Sequence, residues 1–318
     1  MQMRIAVLDD WAGVARGMAV WETLGDVTFF TDPVPRDRLA ETLAPFEAIC
    51  LMRERTPFPR EVIEALPRLR LLVTTGPRNA AIDLDAAKAR GIVVSGTQSR
   101  KTSTSELTLA LILHQLRGIG SEAARLAGGG FQGPPGRDLA ALRVGIVGLG
   151  NIGRQVATLA NAFGSEVAAW SPNLTEARAA DAGVAAAPSL AALAARSDVL
   201  TIHMVLSETS RGLVGAEALA RLPAGALVVN TSRAGLLERE ALFDWLDRDP
   251  EARAAIDVFE AEPLPPADPW RGAAARFGDR LLLTPHLGYV TRATWQLFYE
   301  QTVEAVAAYQ AGTPIRTL

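Results

Sequence analysis

Three residues that could perform acid–base and anion-binding chemistry lie in the second half of the sequence: Arg233, Glu262 and His286. Arg233 follows the apolar run 226–230 and His286 follows the run 281–283, so we expect both at strand ends, where parallel sheets bind ligands. A guanidinium there can grip a carboxylate with two hydrogen bonds and polarise a neighbouring carbonyl. An imidazole can act as acid or base near neutral pH, and the Glu262 carboxylate beside it would favour its protonated form.

The same residues also have plain structural interpretations. Arg233 could be a surface arginine, since arginines are mostly exposed, and Glu262 could be a solvated carboxylate in a loop. Of the other two histidines, His114 lies in an apolar helical run and His203 at the end of a predicted strand. We assign neither of these two a role in the chemistry.

A glycine motif, G-x-G-x-x-G at Gly148, Gly150 and Gly153, lies between the β-branched run 144–147 and the helical pattern 152–163. In that setting the first glycine allows a tight turn, the second lets a pyrophosphate approach the backbone, and the third lets helix and strand pack closely. The helix N-terminus favours an anion. The sequence therefore predicts a dinucleotide site, the alternative being a glycine-rich turn without a ligand.

Two series of alternating strands and helices must position these residues. In the first series we expect strands at 3–8, 27–30, 48–51, 71–74 and 92–94, with helices at 11–20, 36–43, 59–66 and 84–90. In the second we expect six strands, at 144–147, 166–170, 199–204, 226–230, 254–258 and 281–283. Such alternation is typical of parallel sheets. The predicted fold class is α/β, with a Rossmann-type doubly wound parallel sheet and a flavodoxin-like α/β substrate domain.

Two further helices define the domain organisation. Ser103–Glu106 has the pattern of a capping box before an apolar helix at 107–116. The amphipathic pattern 291–308 predicts a last helix, which we expect to dock on the first series. The predicted domains are therefore a discontinuous substrate (catalytic) domain, 1–99 with 288–318, and a dinucleotide-binding domain, 100–287.

The composition excludes several classes of partner. The chain has 318 residues, 49% of them hydrophobic, and a net charge of −3 without a block of lysine or arginine. Nucleic-acid and membrane-surface binding therefore have no electrostatic support. Cys50 is the single cysteine, so we expect no disulfide within the chain and no metal site. Because neither a signal peptide nor a membrane-spanning run is recognisable, we predict a cytoplasmic protein.

Four motifs together resemble the D-isomer-specific 2-hydroxyacid dehydrogenase family, in its glyoxylate/hydroxypyruvate reductase-like form. They are Gly148-Leu-Gly-Asn-Ile-Gly153, Val229-Asn-Thr-Ser-Arg233, Asp257-Val-Phe-Glu-Ala-Glu-Pro263 and Thr284-Pro-His286. The resemblance covers essentially the whole chain. It implies a hydride transfer between NAD(P)H and a small 2-keto acid, giving a D-2-hydroxy acid. We expect helix 107–116 and the Gly/Pro loop 128–136 after it to expose more apolar surface than one domain can cover, and the resemblance implies a two-fold homodimer through this region.

The resemblance also implies roles for individual residues. Arg233 orients the substrate, His286 is the acid/base and Glu262 is its partner. Asp257 contacts the nicotinamide carboxamide. The predicted cofactor-binding residues are Gly148, Gly150, Asn151, Ile152, Gly153, Ser171, Asn173, Thr231 and Asp257.

One departure from the family pattern concerns the cofactor. An acidic residue commonly stands about 20 residues after the glycines to hold the ribose hydroxyls of NAD, and this chain has Ser171 there. Without that carboxylate a 2′-phosphate is not repelled, and Ser171, Asn173, Thr175 and Arg178 could bind it. The sequence therefore favours NADP over NAD, although no arginine follows Ser171 directly.

A second departure lies in the first domain, where the family often has a glycine-rich turn that binds the substrate carboxylate. This chain has Gly76, Pro77 and Arg78 there, and proline has no N–H to donate. We predict that Arg53, Gly76, Pro77 and Arg78 bind substrate, which suggests a substrate larger or more acidic than glyoxylate. The alternative is that Arg78 points to solvent.

Two other functions fit the same fold. One is a non-catalytic NAD(H)-sensing, corepressor-like protein, against which the presence of Arg233, Glu262 and His286 counts. The other is a dehydrogenase for a different small acid, such as formate or phosphite, for which no dedicated site is recognisable. Fold alone does not decide between these functions.

Overall fold

The computed structural model describes residues 2–318. The chain divides into two compact units: unit 1 comprises Met1–Arg100 and Val290–Leu318, and unit 2 comprises Lys101–Tyr289. The functions assigned to the two predicted domains stay predictions.

Unit 1 contains a five-stranded parallel sheet in the order β2-β1-β3-β4-β5. Its strands are β1 Arg4–Val7, β2 Asp26–Phe29, β3 Ala48–Leu51, β4 Leu71–Thr74 and β5 Val93–Gly96. This is the flavodoxin-like strand order. The chain reverses direction across the sheet between β1 and β3, so the carboxyl ends of these two strands form the switch point of unit 1.

Unit 2 contains a seven-stranded parallel sheet in the order β12-β11-β10-β9-β6-β7-β8. Its strands are β6 Arg143–Val147, β7 Glu166–Trp170, β8 Ala185–Ala186, β9 Val199–Ile202, β10 Leu227–Asn230, β11 Arg253–Ile256 and β12 Leu281–Leu283. The order is that of a doubly wound Rossmann sheet with its switch point between β6 and β9, which confirms the predicted fold class. The sequence missed β8 because two residues are too short for a recognisable pattern.

Thirteen helices connect and cover the strands in the described part of the chain. They are α1 Ala15–Met18, α2 Leu39–Leu43, α3 Arg60–Glu64, α4 Leu84–Ala89, α5 Thr102–Arg117, α6 Ile119–Ala127, α7 Asn151–Ala162, α8 Glu176–Ala180, α9 Leu190–Ala195, α10 Ala216–Leu219, α11 Arg239–Arg248, α12 Pro269–Phe277 and α13 Arg292–Gln310. None is long and apolar enough to cross a membrane.

The sheet of unit 2 is buried on both faces. Val228 of β10 belongs to one hydrophobic cluster, and its neighbours Leu227 and Val229 belong to another. This follows from the two-residue repeat of a strand, which sends alternate side chains to opposite faces. The strand ends that carry the site are therefore held in place by packing on both faces of the sheet.

The start of α5 differs from the prediction. The helix begins at Thr102 after Lys101, without a side-chain cap, so Ser103 lies inside the first turn and the predicted capping box is wrong. The serine pattern was misleading because the backbone enters the helix before the serine. Ser105 Oγ instead donates to the carbonyl of Thr102 at 2.8 Å.

Helix α13 closes unit 1 from the C-terminal end of the chain. Thr291 caps it by accepting a hydrogen bond from the amide of Thr294. Trp295 and Phe298 are buried, and the helix packs against α1 and β4. The amphipathic pattern thus correctly predicted both the helix and its docking on the first series.

Candidate active site

The three motif glycines have three different steric surroundings. Gly148 follows β6 with φ +99°, and a Cβ there would stand 2.7 Å from the carbonyl oxygen of His203. A Cβ at Gly153 would overlap the carbonyl oxygen of Gly148, so this glycine permits the close approach of α7 to β6. A Cβ at Gly150 would meet nothing within 4 Å. The open side of Gly150 fits the close approach of a pyrophosphate to the backbone.

Helix α7 presents its N-terminus beside these glycines. Its N-cap is Gly150, which has no capping side chain, and its first turn, which begins with Asn151 and Ile152, holds no acidic residue. The first backbone N–H groups of a helix have no partner within the helix and carry a partial positive charge. Together with its place at the switch point of the sheet, this helix start fits the phosphates of a dinucleotide.

A cavity of about 520 Å³ lies at the same edge of the unit 2 sheet. Its lining includes four of the predicted cofactor residues, Gly148, Gly150, Ser171 and Asn173. Arg178 also lines it, and its Nη1 donates to the carbonyl of Asn173 at 3.2 Å. The remainder of the wall comes mainly from β9 and the segment after it: His203, Met204, Val205, Ser207, Thr209, Ser210 and Leu213.

Thr231, another predicted cofactor residue, follows β10 and is buried. Its hydroxyl lies 2.8 Å from that of Thr108, which donates its own proton to the carbonyl of Thr104 at 2.8 Å. Because a hydroxyl has one proton, Thr231 must donate to Thr108. Thr231 can therefore only accept a hydrogen bond from a ligand.

His286 and Glu262, 24 residues apart in the chain, meet at this edge. The His286 Nδ1 lies 2.6 Å from Glu262 Oε2, and the amide of Phe259 donates to Glu262 Oε1 at 3.0 Å. Both carboxylate oxygens are thus engaged, which fixes the glutamate. The two side chains are about one-fifth exposed, so the pair is shielded but reachable.

Arg233 follows β10 and is half-buried. The buried amide of Asn230 holds the turn that carries it: Nδ2 donates to the carbonyl of Arg233 at 3.0 Å, and Oδ1 accepts from the amide of Ser232 at 3.0 Å. The Arg233 Nη1 donates to the carbonyl of Ser232 at 2.8 Å. Asn230 therefore sets the backbone from which the guanidinium extends.

Asp257 follows β11 and is completely buried. Its oxygens accept hydrogen bonds from the turn 284–288, called here the histidine turn. Burial raises the pKa of the Asp257 carboxyl, against the opposing effects of the Thr284 hydrogen bond and the His286 charge. The nicotinamide contact implied for Asp257 stays a prediction, since much of its acceptor capacity is taken up within the protein.

His203 follows β9 at the switch point of unit 2. Its Nε2 lies 2.9 Å from Thr201 Oγ1, while Nδ1 is buried and has no hydrogen-bond partner among residues 2–318. Burial lowers the pKa of His203 to about 3. His203 is therefore neutral at physiological pH and unsuited to proton transfer, in agreement with the absence of a role predicted for it.

In unit 1 the predicted substrate residues fall into two groups. Arg53, with φ +55°, donates its amide to Thr75 Oγ1 at 2.8 Å, and its guanidinium covers Gly76 so closely that a Cβ there would overlap it. The amide of Gly76 donates to Thr97 Oγ1 at 2.7 Å and is already engaged. Pro77 and Arg78, by contrast, are exposed on unit 1.

Further polar and aromatic residues, not predicted from the sequence, follow β1 and β3 at the switch point of unit 1. Arg55 Nη1 donates to the carbonyl of Asp9 at 2.8 Å, and its guanidinium carbon lies 3.9 Å from the ring centroid of Trp11. Thr56 Oγ1 donates to Asp9 Oδ2 at 2.8 Å. Their only sequence signal was a position just after a strand, which is weak without knowledge of the strand order.

Comparisons with known proteins agree with this geometry. Residues 109–288 match the family model described as D-isomer specific 2-hydroxyacid dehydrogenase, NAD binding domain. The chain is 33% identical over 286 residues to D-3-phosphoglycerate dehydrogenase of Mycobacterium bovis, covering 89% of this chain and 53% of that protein. It is 31% identical over 264 residues to hydroxypyruvate reductase of Thermotoga maritima, covering 82% of this chain and 84% of that protein.

The fold is similar to that of a phosphoglycerate oxidoreductase from Vibrio cholerae O395, whose crystal structure matches with a TM-score of 0.91 and 34% identity. That match covers 98% of this chain and 99% of the other. The chain spans about half the length of the D-3-phosphoglycerate dehydrogenases that it matches. On its sequence, its strand order and its site residues, the chain belongs to the D-isomer specific 2-hydroxyacid dehydrogenase family.

Proposed function

We propose that the protein is an NAD(P)-dependent oxidoreductase that interconverts a 2-keto acid and a D-2-hydroxy acid. The observation that carries this proposal is the 2.6 Å contact between His286 Nδ1 and Glu262 Oε2 at the ligand-binding edge of a dinucleotide-type sheet. The names of the relatives, a D-3-phosphoglycerate dehydrogenase and a hydroxypyruvate reductase, support this class of reaction.

The contact with Glu262 gives the two ring nitrogens of His286 separate roles. Because Nδ1 donates to the carboxylate, Nε2 is the nitrogen that exchanges a proton with the substrate. In the reduction, protonated His286 delivers the Nε2 proton to the keto oxygen, and in the oxidation neutral Nε2 accepts the hydroxyl proton. Glu262 holds the ring orientation and stabilises the imidazolium.

Arg233 binds the substrate carboxylate with two parallel hydrogen bonds and polarises the keto group. When bound, the nicotinamide cofactor supplies or receives the hydride. The glycine motif and the start of α7 would hold its pyrophosphate, and the residues that line the cavity of about 520 Å³ beside them would hold its adenosine part.

The experiment is an NADPH and NADH oxidation assay against a panel of 2-keto acids, with variants His286→Asn and Arg233→Lys. We expect His286→Asn to lower kcat by about 10²- to 10⁴-fold. Arg233→Lys should also lower activity although it keeps the positive charge, because an ammonium cannot form the two parallel hydrogen bonds of a guanidinium with a carboxylate. His114→Asn is the matched control. A protein that binds the cofactor tightly but reduces no keto acid would instead support the sensor alternative.

For the cofactor we infer a preference for NADPH. Ser171 and Asn173 line the cavity together with Arg178, and Arg154 Nη2 lies 3.4 Å from the carbonyl of Arg178. Two guanidinium groups near a strand end without a carboxylate favour a 2′-phosphate over a free ribose hydroxyl.

The preference is measured as the ratio of kcat/KM for NADPH to that for NADH. Ser171→Asp should reverse the ratio, because the carboxylate repels a phosphate and accepts hydrogen bonds from ribose hydroxyls. Ser171→Ala is the control that removes the hydroxyl without adding charge. A wild-type protein that prefers NADH would refute the proposed role of Ser171.

For the substrate we infer an acid larger or more acidic than glyoxylate. Arg53 and Arg55 are both half-buried at the switch point of the unit 1 sheet, where such sheets bind ligands. A second anionic group on the keto acid would form charge-assisted hydrogen bonds with these guanidinium groups. Glyoxylate should therefore show a lower kcat/KM than a keto acid carrying a second anionic group, and Arg53→Gln should reduce that difference.

For the assembly we infer a homodimer through α6 and the segment after it. Within the region predicted for the dimer, Leu111, Ile112 and Leu116 of α5 are buried within unit 2. The exposed apolar side chains follow α5: Ile119 (52%), Leu126 (61%) and Phe131 (77%). Helix α6 has no buried residue, which is the pattern of a surface that a second copy covers.

A further inference from the structure

A single buried carboxylate holds both flanks of His286. Asp257 Oδ1 accepts hydrogen bonds from Thr284 Oγ1 at 2.6 Å and from the amide of Leu287 at 2.7 Å. Its Oδ2 accepts from the amide of Gly288 at 2.9 Å. The residues before and after the imidazole are therefore tied to one side chain that has no part in the proton transfer itself.

The histidine turn needs such a hold because of its backbone conformation. His286 has φ +53°, a left-handed conformation that residues with a Cβ rarely adopt. Its amide donates to the carbonyl of Thr284 at 2.9 Å, which makes the turn tight. Strained conformations persist only where the surroundings over-determine them, and they concentrate at functional sites.

Helix α5 provides a second hold on the same turn. Thr104 Oγ1 donates to the carbonyl of Gly288 at 2.8 Å. A Cβ at Gly288 would lie 3.3 Å from Asp257 Oδ2 and 3.4 Å from Thr104 Oγ1, so the glycine is clamped between the two side chains. The end of the histidine turn is thus fixed from β11 on one side and from α5 on the other.

We propose that Asp257 is a positioning residue for His286, and that Thr104 assists it. By holding the histidine turn in its left-handed conformation, the two side chains set the imidazole so that Nδ1 meets Glu262 and Nε2 faces the substrate oxygen. The proposal rests on the proposed reduction of a 2-keto acid. It differs from the role implied by the family resemblance, in which Asp257 contacts the nicotinamide carboxamide.

The variant Asp257→Asn distinguishes positioning of His286 from contact with the nicotinamide. Asparagine matches aspartate in shape but has one acceptor oxygen, and its NH₂ group would face a backbone N–H or a hydroxyl donor. The histidine turn would then lose at least one hydrogen bond and shift. Thr104→Val and Thr104→Ser form a matched pair, since only serine retains the hydroxyl that donates to Gly288.

The first measurement is steady-state kinetics of keto-acid reduction. We expect Asp257→Asn to lower kcat about ten- to a hundredfold, because small misplacements of a reacting group have effects of that size, while KM for the nicotinamide cofactor stays near the wild-type value. Thr104→Val should lower kcat in the same way, whereas Thr104→Ser should keep kcat near the wild-type value. An Asp257→Asn enzyme with normal kcat and a strongly raised cofactor KM would overturn the proposal.

The second measurement does not depend on activity. The chain has three histidines, so NMR of protein labelled at imidazole nitrogen and carbon gives three sets of signals, with that of His286 identified from a His286→Asn sample. We expect Asp257→Asn and Thr104→Val to shift the His286 signals and leave those of His114 and His203 in place. Unchanged His286 signals would overturn the positioning role. If wild type reduces no keto acid, the proposed function fails while this measurement still decides the positioning role.

Discussion

Replacing His203 should remove a specific part of the pH dependence of stability. Burial lowers the pKa of His203 from its ordinary value of 6.5 to about 3 in the folded protein. The unfolded chain therefore takes up the proton first as the pH falls. The contribution of neutral His203 is fully present above pH 6.5 and is lost progressively as the pH falls from 6.5 towards 3.

The magnitude follows from the difference between these two pKa values. Each pH unit within the window lowers the free energy of unfolding by about 1.4 kcal/mol. Wild type should therefore lose about 2 kcal/mol from this residue between pH 6.5 and about pH 5, and roughly 4 kcal/mol by pH 3. Other titrating groups also make the free energy of unfolding depend on pH. The informative quantity is therefore the difference in that pH dependence between wild type and a variant.

The assay is urea unfolding at a series of pH values for wild type and His203→Gln, with His114→Gln as the control. Glutamine does not titrate and can still hydrogen-bond to Thr201. The variant should be less pH-sensitive than wild type by about 2 kcal/mol between pH 6.5 and about pH 5, whatever its stability at neutral pH. If the free energy of unfolding changed equally with pH in wild type and in His203→Gln over that range, the assignment of His203 as a neutral group in the folded protein would be refuted.

Three further predictions concern the site and the assembly. Glu262→Gln should lower kcat less than His286→Asn, because the imidazolium loses its charged partner while the ring keeps a hydrogen-bond acceptor; a Glu262→Gln enzyme with wild-type kcat would contradict the pairing. Gly153→Ala should destabilise the protein by about 1–3 kcal/mol, because the added Cβ would overlap the carbonyl oxygen of Gly148. Gly150→Ala should instead keep the melting temperature, measured by calorimetry, and weaken cofactor binding, measured by a fluorescence titration. If the proposed homodimer forms, Phe131→Asp should convert it to a monomer in light scattering, and a wild-type monomer at micromolar concentration would rule out the assembly.

The sequence by itself determined the elements whose signals are local. The glycine motif has a fixed spacing between a strand and a helix, so the tight turn at Gly148 and the close packing at Gly153 could be predicted from six consecutive positions and their flanking patterns. Buried parallel strands are short runs of apolar residues, so the α/β class and the strand-end positions of Arg233 and His286 could also be predicted. Four motifs in order were enough to identify the family.

The tertiary structure decided what depends on residues far apart in the chain. Glu262 meets His286 because β11 and β12 are neighbours in the sheet, and Asp257 holds the histidine turn for the same reason. Of the two arginines predicted to bind substrate, Arg53 packs over Gly76 while Arg78 is exposed, a difference that residue type alone does not contain.

The dependence on distant residues also limits what the sequence predicts about the capping box and the dimer region. Ser103 has the sequence of a cap, but the helix begins one residue earlier, at Thr102 after Lys101. In the predicted dimer region, much of the apolar side of α5 is covered by its own unit, so the exposed apolar side chains lie on α6 and, at Phe131, in the predicted loop. Local patterns specify which face of an element is apolar, whereas the strand order and the packing of distant segments decide what covers that face and which side chains meet.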